Sequence, residues 1–445
     1  MRRRHILTAT AVISITLFFY AQQQDVLPEA LLFDGALKES GQHGASVKFP
    51  EDISAHAGKE EPSELDIDPP PVFPGGEAPQ PEAPVPPSSG DLSGLTHVPD
   101  IPPPPQPPVP PAPLSPPGPP APGSDTAQFQ AEFQFQQDLP LELPVDRLKH
   151  LSTHKPHNYS PSDGHKQSVY ATFMATRNPS LKDPYYLAIH SLIYRILWAP
   201  RSRSVKHAFV VFVGDFVTQE QRQLLAGAGA IVRELSPLEW DPPGEGIQKR
   251  WKDLFAKLNM WKETEFERIV FLDADAFPVA NVDDMFSLAP ELPCLKDRLT
   301  PEDYLPDGTT TCEPYVFAGV PSNPGKKESI DINAGSIVFN PSDLMHKRLL
   351  QNYVRFDKYD VKMAEQAFLN WMFNVNGAFP GSPLDRIWGG FFPGKDEEGK
   401  LKVVHEKIWS DETEWLHREW VTGWVEMSQF YTGDEFVKMR EGDGT

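Results

Sequence analysis

The chain has 445 residues, of which 39% are hydrophobic and 49 are proline, and its formal net charge is −21 at pH 7. This length is sufficient for one large domain or two ordinary ones. The acidic balance argues against nucleic acid or an anionic membrane surface as a partner, because either would require a clustered basic face.

The N-terminus has the pattern of a membrane signal anchor. Residues 1–5 are basic, and residues 6–21 form an apolar run that lacks the small residues of a cleavage site. We therefore predict a cytosolic tail at 1–5 and a transmembrane anchor at 6–21. The basic flank would keep the N-terminus cytosolic and place the rest in a lumen, and the short span suits early secretory membranes. The sequence thus predicts a single-pass type II protein of the Golgi or ER membrane with a luminal folded domain, and we take the Golgi membrane as the location.

A proline-rich segment follows the anchor. About half of the prolines fall between residues 69 and 122, where almost no apolar periodicity is present. Such a segment cannot bury enough apolar surface to offset its chain entropy, and in polyproline II geometry it would extend about 170 Å. We predict a disordered luminal stem at 22–145, one folded domain at 146–434 and a C-terminal tail at 435–445.

Two local features fit luminal exposure. Cys294 and Cys312 are the only cysteines, and a disulfide between them is favoured in an oxidising lumen, with two free thiols as the alternative. The segment Asn158-Tyr159-Ser160 is an N-glycosylation sequon without proline.

Strands and helices alternate at short spacing from residue 168 onward. The apolar patterns predict strands at 169–176, 207–213, 230–232, 268–272, 335–339 and 401–404, and helices at 186–197, 218–227, 251–261 and 363–373. This alternation predicts an α/β fold with a mostly parallel, Rossmann-like sheet that helices cover on both faces.

Asp273 and Asp275 directly follow the predicted strand 268–272. Positions i and i+2 of an extended strand point to the same side, and two converging carboxylates repel each other unless a divalent cation lies between them. The pair therefore predicts a metal site, with capping of the next turn as the alternative. By contrast, Asp283 and Asp284 are typical of acids in the first turn of a helix.

His405 follows the predicted strand 401–404, and open parallel sheets collect ligands at the carboxyl ends of their strands. One imidazole and two carboxylates would suit Mn²⁺ or Mg²⁺. Taken alone, His405 would be an ordinary packed or surface histidine.

An ordered run of motifs extends through residues 168–409. Its segments are KLNMW at 257–261, ERIVFLDADAF at 267–277, NVDDMF at 281–286, NAGSIVF at 333–339 and EQAFLN at 365–370. This run resembles glycosyltransferase family 8, the glycogenin-like enzymes, and the N-terminal pattern is similar to that of a fungal-type, type II membrane member.

The resemblance implies a GT-A nucleotide-diphospho-sugar transferase fold. It also implies a hexosyl- or N-acetylglucosaminyl-transferase that transfers a sugar with retention from a UDP-sugar to a glycan or glycoprotein acceptor in the Golgi lumen. Mn²⁺ or Mg²⁺ on Asp273, Asp275 and His405 would bridge the donor diphosphate. The alternative is a non-catalytic, membrane-tethered sugar-nucleotide or glycan-binding protein with the same fold.

The resemblance further implies catalytic roles for Glu365 and Gln366. It implies donor binding by Thr172, Thr176, Tyr185, Lys257, Asp273, Ala274, Asn333 and Lys407. Read without the family, the two lysines would be solvated surface residues. Glu365 replaces the usual aspartate of the family, which argues against a direct nucleophilic role, and the segment 405–409 lacks the family's glycine and Lys-Pro-Trp spacing.

Four tryptophans crowd the C-terminal part of the sequence. An aromatic shelf for an acceptor sugar is one interpretation, and packing against the sheet is the favoured one. They are Trp409, Trp415, Trp420 and Trp424.

Overall fold

The computed structural model describes residues 136–160, 165–243, 249–322, 331–410 and 413–445. The predicted tail at 1–5, the predicted anchor at 6–21 and the stem up to residue 135 lie outside the described residues. The domain boundaries given above therefore stay predictions.

The predicted location is contradicted. Within the described ranges, no helix combines the length and the apolar character that a membrane crossing requires. We therefore withdraw the prediction of a Golgi membrane protein of single-pass type II topology with a luminal catalytic domain.

Ten strands and eight α-helices are assigned in the described residues. The strands are β1 Gln167–Met174, β2 Phe209–Val213, β3 Ile231–Glu234, β4 Phe266–Leu272, β5 Ala276–Pro278, β6 Phe317–Pro321, β7 Ile332–Phe339, β8 Ser382–Pro383, β9 Gly390–Phe391 and β10 Val403–His405. The helices are α1 Val145–Leu151, α2 Pro184–Leu197, α3 Gln219–Gly227, α4 Met285–Leu288, α5 Asp343–Asn352, α6 Ala364–Met372, α7 Glu414–Thr432 and α8 Asp434–Gly442.

Seven strands form the central sheet in the order β3-β2-β1-β4-β7-β6-β8. Strands β3, β2, β1 and β4 are mutually parallel, β7 is antiparallel to both β4 and β6, and β8 is parallel to β6. The predicted fold class, an α/β GT-A fold with a mostly parallel sheet and helices on both faces, is confirmed.

The two faces of the sheet belong to two separate apolar cores. In β1, Tyr170 and Met174 enter one core, whereas Ala171 and Phe173 enter the other. This division follows from the period of two along a strand. Because both faces of the sheet are covered, the central strands are continuous apolar runs. In β2, for example, all five residues are apolar and buried.

Helix starts are encoded locally in the sequence. At α2 the Asp183 carboxylate accepts a hydrogen bond from the Tyr186 N–H, and Pro184 occupies the first turn, where no N–H is needed. At α3, Thr218 and Gln221 form a reciprocal capping box. These bonds fix the helices that follow β1 and β2.

A second sheet has three short strands in the order β5-β10-β9. Strand β10 runs antiparallel to β5 and parallel to β9. His405 therefore ends a strand of this small sheet rather than a strand of the central sheet. Other differences from the sequence patterns are smaller: β1 ends before Thr176, β7 begins early enough to include Asn333, and the predicted helix 251–261 consists of 3₁₀ turns over Lys249–Lys262.

The sequon asparagine is engaged inside the fold. Asn158 Nδ2 donates to the carbonyl oxygens of Ser204, at 3.1 Å, and His207, at 3.4 Å. Attachment of a glycan would replace one of the two hydrogens on this nitrogen, so the two bonds could not both persist.

The favoured disulfide is confirmed, since Cys294 and Cys312 are bridged across 18 positions of sequence. The loop that they close is also tied to α5 by a buried ion pair, in which Arg348 Nε lies 2.8 Å from Asp303 Oδ1. The Arg348 guanidinium in addition donates to the Met372 carbonyl oxygen. Two independent links therefore hold this loop.

We expect reduction of the Cys294–Cys312 bridge to lower the free energy of unfolding by about 3 kcal/mol, because opening a loop of this length restores entropy to the unfolded chain. Urea unfolding with and without dithiothreitol measures the change. A Cys294→Ser/Cys312→Ser variant serves as the control and should not respond to the reductant. Equal stability of the oxidised and reduced wild type would contradict the expectation.

Candidate functional site

Asp273 and Asp275 lie on the turn that joins β4 to β5. The Asp273 N–H donates to the Gly335 carbonyl oxygen on β7 at 2.9 Å, and the Ala276 N–H closes the turn onto the Asp273 carbonyl oxygen, also at 2.9 Å. The two carboxylates are thus outside the extended strand. A turn, rather than the pleat of a strand, brings them to one side.

His405 completes a group of three ligand atoms. Its position in β10 lies opposite Ala276 of β5, one residue after Asp275. His405 Nε2 is 3.3 Å from Asp275 Oδ1 and 3.9 Å from Asp273 Oδ2. All three side chains offer one ligand atom within 4.8 Å of the others, so the group could hold a metal ion. The predicted metal residues are brought together.

Two lysines occupy the other side of the same carboxylates. Lys257 Nζ lies 2.8 Å from Asp273 Oδ1, and Lys407 Nζ lies 3.2 Å from Asp275 Oδ2. Each aspartate therefore directs one oxygen to a lysine and the other toward His405. This division leaves one oxygen of each carboxylate available for a cation.

The charges of the site stabilise one another. Burial opposes ionisation of Asp275, but Lys407 and His405 hold the pKa of its carboxyl well below the usual range. Burial likewise disfavours charge on Lys257 and Lys407, and the neighbouring carboxylates outweigh it and raise the pKa of both amines. Burial lowers the pKa of His405, yet the hydrogen bond and charge of Asp275 produce a net increase. The Asp275 carboxylate is therefore ionised at neutral pH.

The residues present fit a hard divalent ion. Carboxylate oxygens with one imidazole nitrogen are a donor set suited to Mn²⁺ or Mg²⁺. Space for these ligands depends on Gly335, because a Cβ at that position would be 2.7 Å from Asp273 Oδ2 and 2.8 Å from His405 Nε2, and would also collide with His405 Cε1. A glycine on β7 thus keeps the position between the ligands open.

Glu365 is held beside this group by Lys257, whose Nζ lies 2.9 Å from Glu365 Oε1. Both side chains are almost fully buried. The preceding residue, Ala364, has φ 47° and ψ −135°, a conformation that side-chain-bearing residues rarely adopt. A strained backbone therefore precedes the carboxylate at the start of α6.

Two amide side chains attach α6 to β7. Gln366 Oε1 accepts from the Ala334 N–H at 3.1 Å, and Asn370 both accepts from the Ile332 N–H at 2.7 Å and donates to the Ile332 carbonyl oxygen at 2.9 Å. Asn370 lies in the segment EQAFLN, and no sequence pattern indicates this role. Asn333 accepts from the Gly335 N–H at 2.9 Å and so shapes the strand next to the metal group.

Three of the residues predicted for nucleotide binding lie in β1, just after it, or in α2. Thr172 is fully buried, and its Oγ1 has no hydrogen-bond partner among the described residues. Thr176 Oγ1 donates to Asp183 Oδ2 at 3.1 Å. The Tyr185 ring lies edge-on to Trp409, with ring centroids 5.2 Å apart. Ala274 is nearly buried in the apolar core.

Asp183, directly before α2, is a buried carboxylate near these residues that the sequence analysis does not identify as a candidate. Burial raises its pKa to about 7, although hydrogen bonds from Tyr186, Thr176 and Asn178 favour the charged form. The available signal was an aspartate directly before Pro184, which marks a helix N-cap.

The other acidic and aromatic candidates contribute to the fold and not to the metal group. Asp283 accepts from the Tyr170 hydroxyl at 2.7 Å, and Asp284 is the N-cap residue of α4, so neither joins the metal group. The favoured packing role of the tryptophans is confirmed, because all four are buried in the same core: Trp409, Trp415, Trp420 and Trp424.

Comparison with known proteins gives relatives but no family match. No protein-family model matches the chain. An uncharacterized protein of Schizosaccharomyces pombe is 26% identical over 291 residues, covering 57% of this chain and 78% of the relative. Galactinol synthase 7 of Arabidopsis thaliana is 28% identical over 262 residues, covering 54% of this chain and 72% of the relative.

Among solved structures, the bifunctional glycosyltransferase WbbM in its apo form aligns with 64% of this chain at a TM-score of 0.38 and 12% identity. The alignment spans about half of that structure, namely 52%. The sequence similarity to galactinol synthases, together with the sheet described above, supports a glycosyltransferase with the GT-A fold.

We expect Gly335→Ala to weaken Mn²⁺ binding roughly 10-fold to 100-fold, because the added methyl group would displace a ligand oxygen and the imidazole. Titration of free Mn²⁺ followed by electron paramagnetic resonance measures the affinity. Gly442→Ala is the matched control, since a Cβ there meets nothing within 4 Å. Unchanged affinity of Gly335→Ala would contradict the site.

Lys257→Met should lower the free energy of unfolding by about 3–5 kcal/mol in the presence of a chelator, because it leaves two carboxylates near one another without their buried cation. Lys257→Met/Glu365→Gln should lose less, since one of the two charges is then removed. Denaturant unfolding measures both variants. Lys252→Met, which removes only an exposed pair with Asp241, is the control, and a loss no greater than in this control would refute the coupling.

Proposed function

We propose that this chain is a metal-dependent glycosyltransferase. It transfers a hexosyl or N-acetylglucosaminyl group from a UDP-sugar to a glycan or glycoprotein acceptor, with retention of anomeric configuration. The observation that carries the proposal is the group of Asp273, Asp275 and His405, in which each carboxylate keeps one oxygen directed away from its lysine partner. The galactinol synthase relatives support the same reaction class.

Asp273, Asp275 and His405 would hold the Mn²⁺ or Mg²⁺ ion. When bound, the ion would supply positive charge to the diphosphate as UDP leaves the sugar. Lys257 and Lys407 each pair with one oxygen of an aspartate, and a bound cation would offset the repulsion that remains between the other two oxygens.

Lys407 would contribute to leaving-group stabilisation from the protein side. Its side chain is only partly buried and its Nζ lies 3.2 Å from Asp275 Oδ2, two residues after the strand that ends at His405. A fixed cation beside the metal ligands is positioned to favour negative charge as it develops on a phosphate oxygen. Lys257 is more deeply buried and serves mainly to orient Asp273 and Glu365.

Glu365 would act by its charge and not as a nucleophile. The pair with Lys257 fixes one of its oxygens and reduces its nucleophilicity, while its negative charge can still stabilise an oxocarbenium-like anomeric carbon. Gln366 has its oxygen engaged by the Ala334 N–H, so it would donate from Nε2 to a sugar hydroxyl. Both residues begin the helix that Asn370 ties to β7.

We expect the purified full chain to release UDP from one donor of a panel in the presence of Mn²⁺, and to lose this activity when EDTA is added. The panel contains UDP-glucose, UDP-galactose, UDP-N-acetylglucosamine, UDP-xylose and UDP-glucuronate. Asp275→Asn should lower the rate roughly 100-fold or more, because it removes the charge of a metal ligand while it keeps the shape.

Asp284→Asn is the control for this variant, since Asp284 is an exposed carboxylate outside the metal group and should retain full activity. Equal rates for Asp275→Asn and wild type would remove the site assignment. Binding of a UDP-sugar without any release of UDP would favour the alternative of a sugar-nucleotide-binding protein.

A further inference from the structure

Phe392 has an exposed aromatic ring in the loop that follows β9. It directly follows β9 and is 66% exposed, whereas the adjacent Phe391 is buried. Within the described part of the chain, no other phenylalanine or tryptophan is classed as exposed. An aromatic ring left in water forgoes the burial that stabilises most such side chains.

The backbone of Phe392 is strained. Its φ is 45°, and the other described non-glycine residues with positive φ are Asn158 and Ala364. Glycine adopts this region without a steric penalty, and asparagine does so more readily than most residues, whereas a bulky aromatic residue there is an outlier. Strained residues persist where the surrounding structure enforces them, and they concentrate at ligand sites.

The surrounding loop is braced independently of the ring. Arg386 pairs with both carboxylate oxygens of Glu397, at 2.6 and 2.9 Å, and donates to the Phe391 carbonyl oxygen at 3.0 Å. Glu397 also accepts from the Gly394 N–H at 2.9 Å. These bonds join the residues before and after Phe392, so the loop conformation does not depend on burial of its side chain.

The position of Phe392 relative to the metal group follows from strand register. Phe391 is the partner of His405 in the parallel pair of β9 and β10. Since paired strands are about 4.8 Å apart and successive Cα atoms 3.8 Å apart, the Cα atoms of Phe392 and His405 are separated by less than about 9 Å. The backbone of Phe392 therefore lies close to the metal group.

The segment that leads into β9 lies on the β6–β7 side of the central sheet. Just before β9, the Trp388 carbonyl oxygen accepts from Ser336 Oγ on β7 at 2.7 Å, and Gly389 packs against Ser336 and against Val320 on β6. Thr172 and Thr176 lie in and just after β1, which β4 separates from β7. Phe392 thus belongs to the β6–β7 side of the site and not to the side of β1, where nucleotide binding is predicted.

We propose that Phe392 is the platform on which a pyranose ring of the acceptor stacks. The inference rests on the proposed function, because it assigns the acceptor side of the same site. The C–H face of a pyranose is apolar and packs on an aromatic ring, while its hydroxyls remain available to water and polar groups. The acceptor class is thus a glycan that offers an unsubstituted sugar face, rather than a bare polypeptide hydroxyl.

The test compares the full chain with Phe392→Gly, Phe392→Asn and Phe392→Trp. The probes are maltose, cellobiose, lactose and N,N′-diacetylchitobiose, and saturation-transfer difference NMR measures their binding in the presence of UDP and Mg²⁺. Glycine and asparagine tolerate the backbone conformation, so we expect the melting temperatures of these variants to be no lower than that of the wild type. Tyr304→Ala removes an exposed aromatic residue from the disulfide loop and is the matched control.

At least one disaccharide should bind the wild type, the tryptophan variant and the control alike, and bind roughly fivefold more weakly to the glycine and asparagine variants. Equal binding to the glycine or asparagine variant, or binding of no disaccharide to the wild type, would overturn the proposal. A wild-type dimer that dissociates in Phe392→Gly would overturn it too, because a second copy would then cover the ring. Failure of the proposed function is seen separately, as absence of Mn²⁺-dependent UDP release by the wild type from every donor.

Discussion

The candidate site depends on the pairing of two aspartates with two lysines. Asp273 and Asp275 come from a three-residue turn, and each is bound by a lysine through one oxygen and approached by His405 through the other. Without the lysines, two ionised carboxylates at this depth would repel each other and suffer desolvation. With them, the group is held together before any ion binds, and the oxygens that face His405 stay available.

That pairing explains why distant segments converge at one edge. Lys257 comes from the 3₁₀ turns before β4, Glu365 from the start of α6, and Lys407 from the segment just after β10. Gly335 on β7 permits the approach, because no side chain could fit between Asp273 and His405. The aspartates follow a strand of the central sheet, whereas His405 lies in β10 of the small sheet, which pairs with β5.

Strain is concentrated next to this group. Ala364 and Phe392 both have positive φ, and they flank the site through Glu365 on one side and the strand partner of His405 on the other. In each case hydrogen bonds from neighbouring side chains fix the segment, through Gln366 and Asn370 for α6 and through Arg386 for the loop after β9. Fixed segments on both sides of a site suit a transferase, because a donor and an acceptor must be aligned with each other and shielded from water.

The sequence by itself determined the alternation of strands and helices, since apolar periodicity and helix caps such as Asp183 are local properties. It also indicated one site for Asp273, Asp275 and His405, because each follows a predicted strand. It could not show that a turn orients the two carboxylates, that His405 belongs to a second sheet, or that each carboxylate is shared with a lysine. The predicted Golgi type II location, which was argued from the N-terminal pattern, is contradicted by the described residues. Only the tertiary structure decided which side of each carboxylate faces a cation and which glycine leaves room for a ligand, because these depend on contacts between residues such as Gly335 and His405, far apart in the chain.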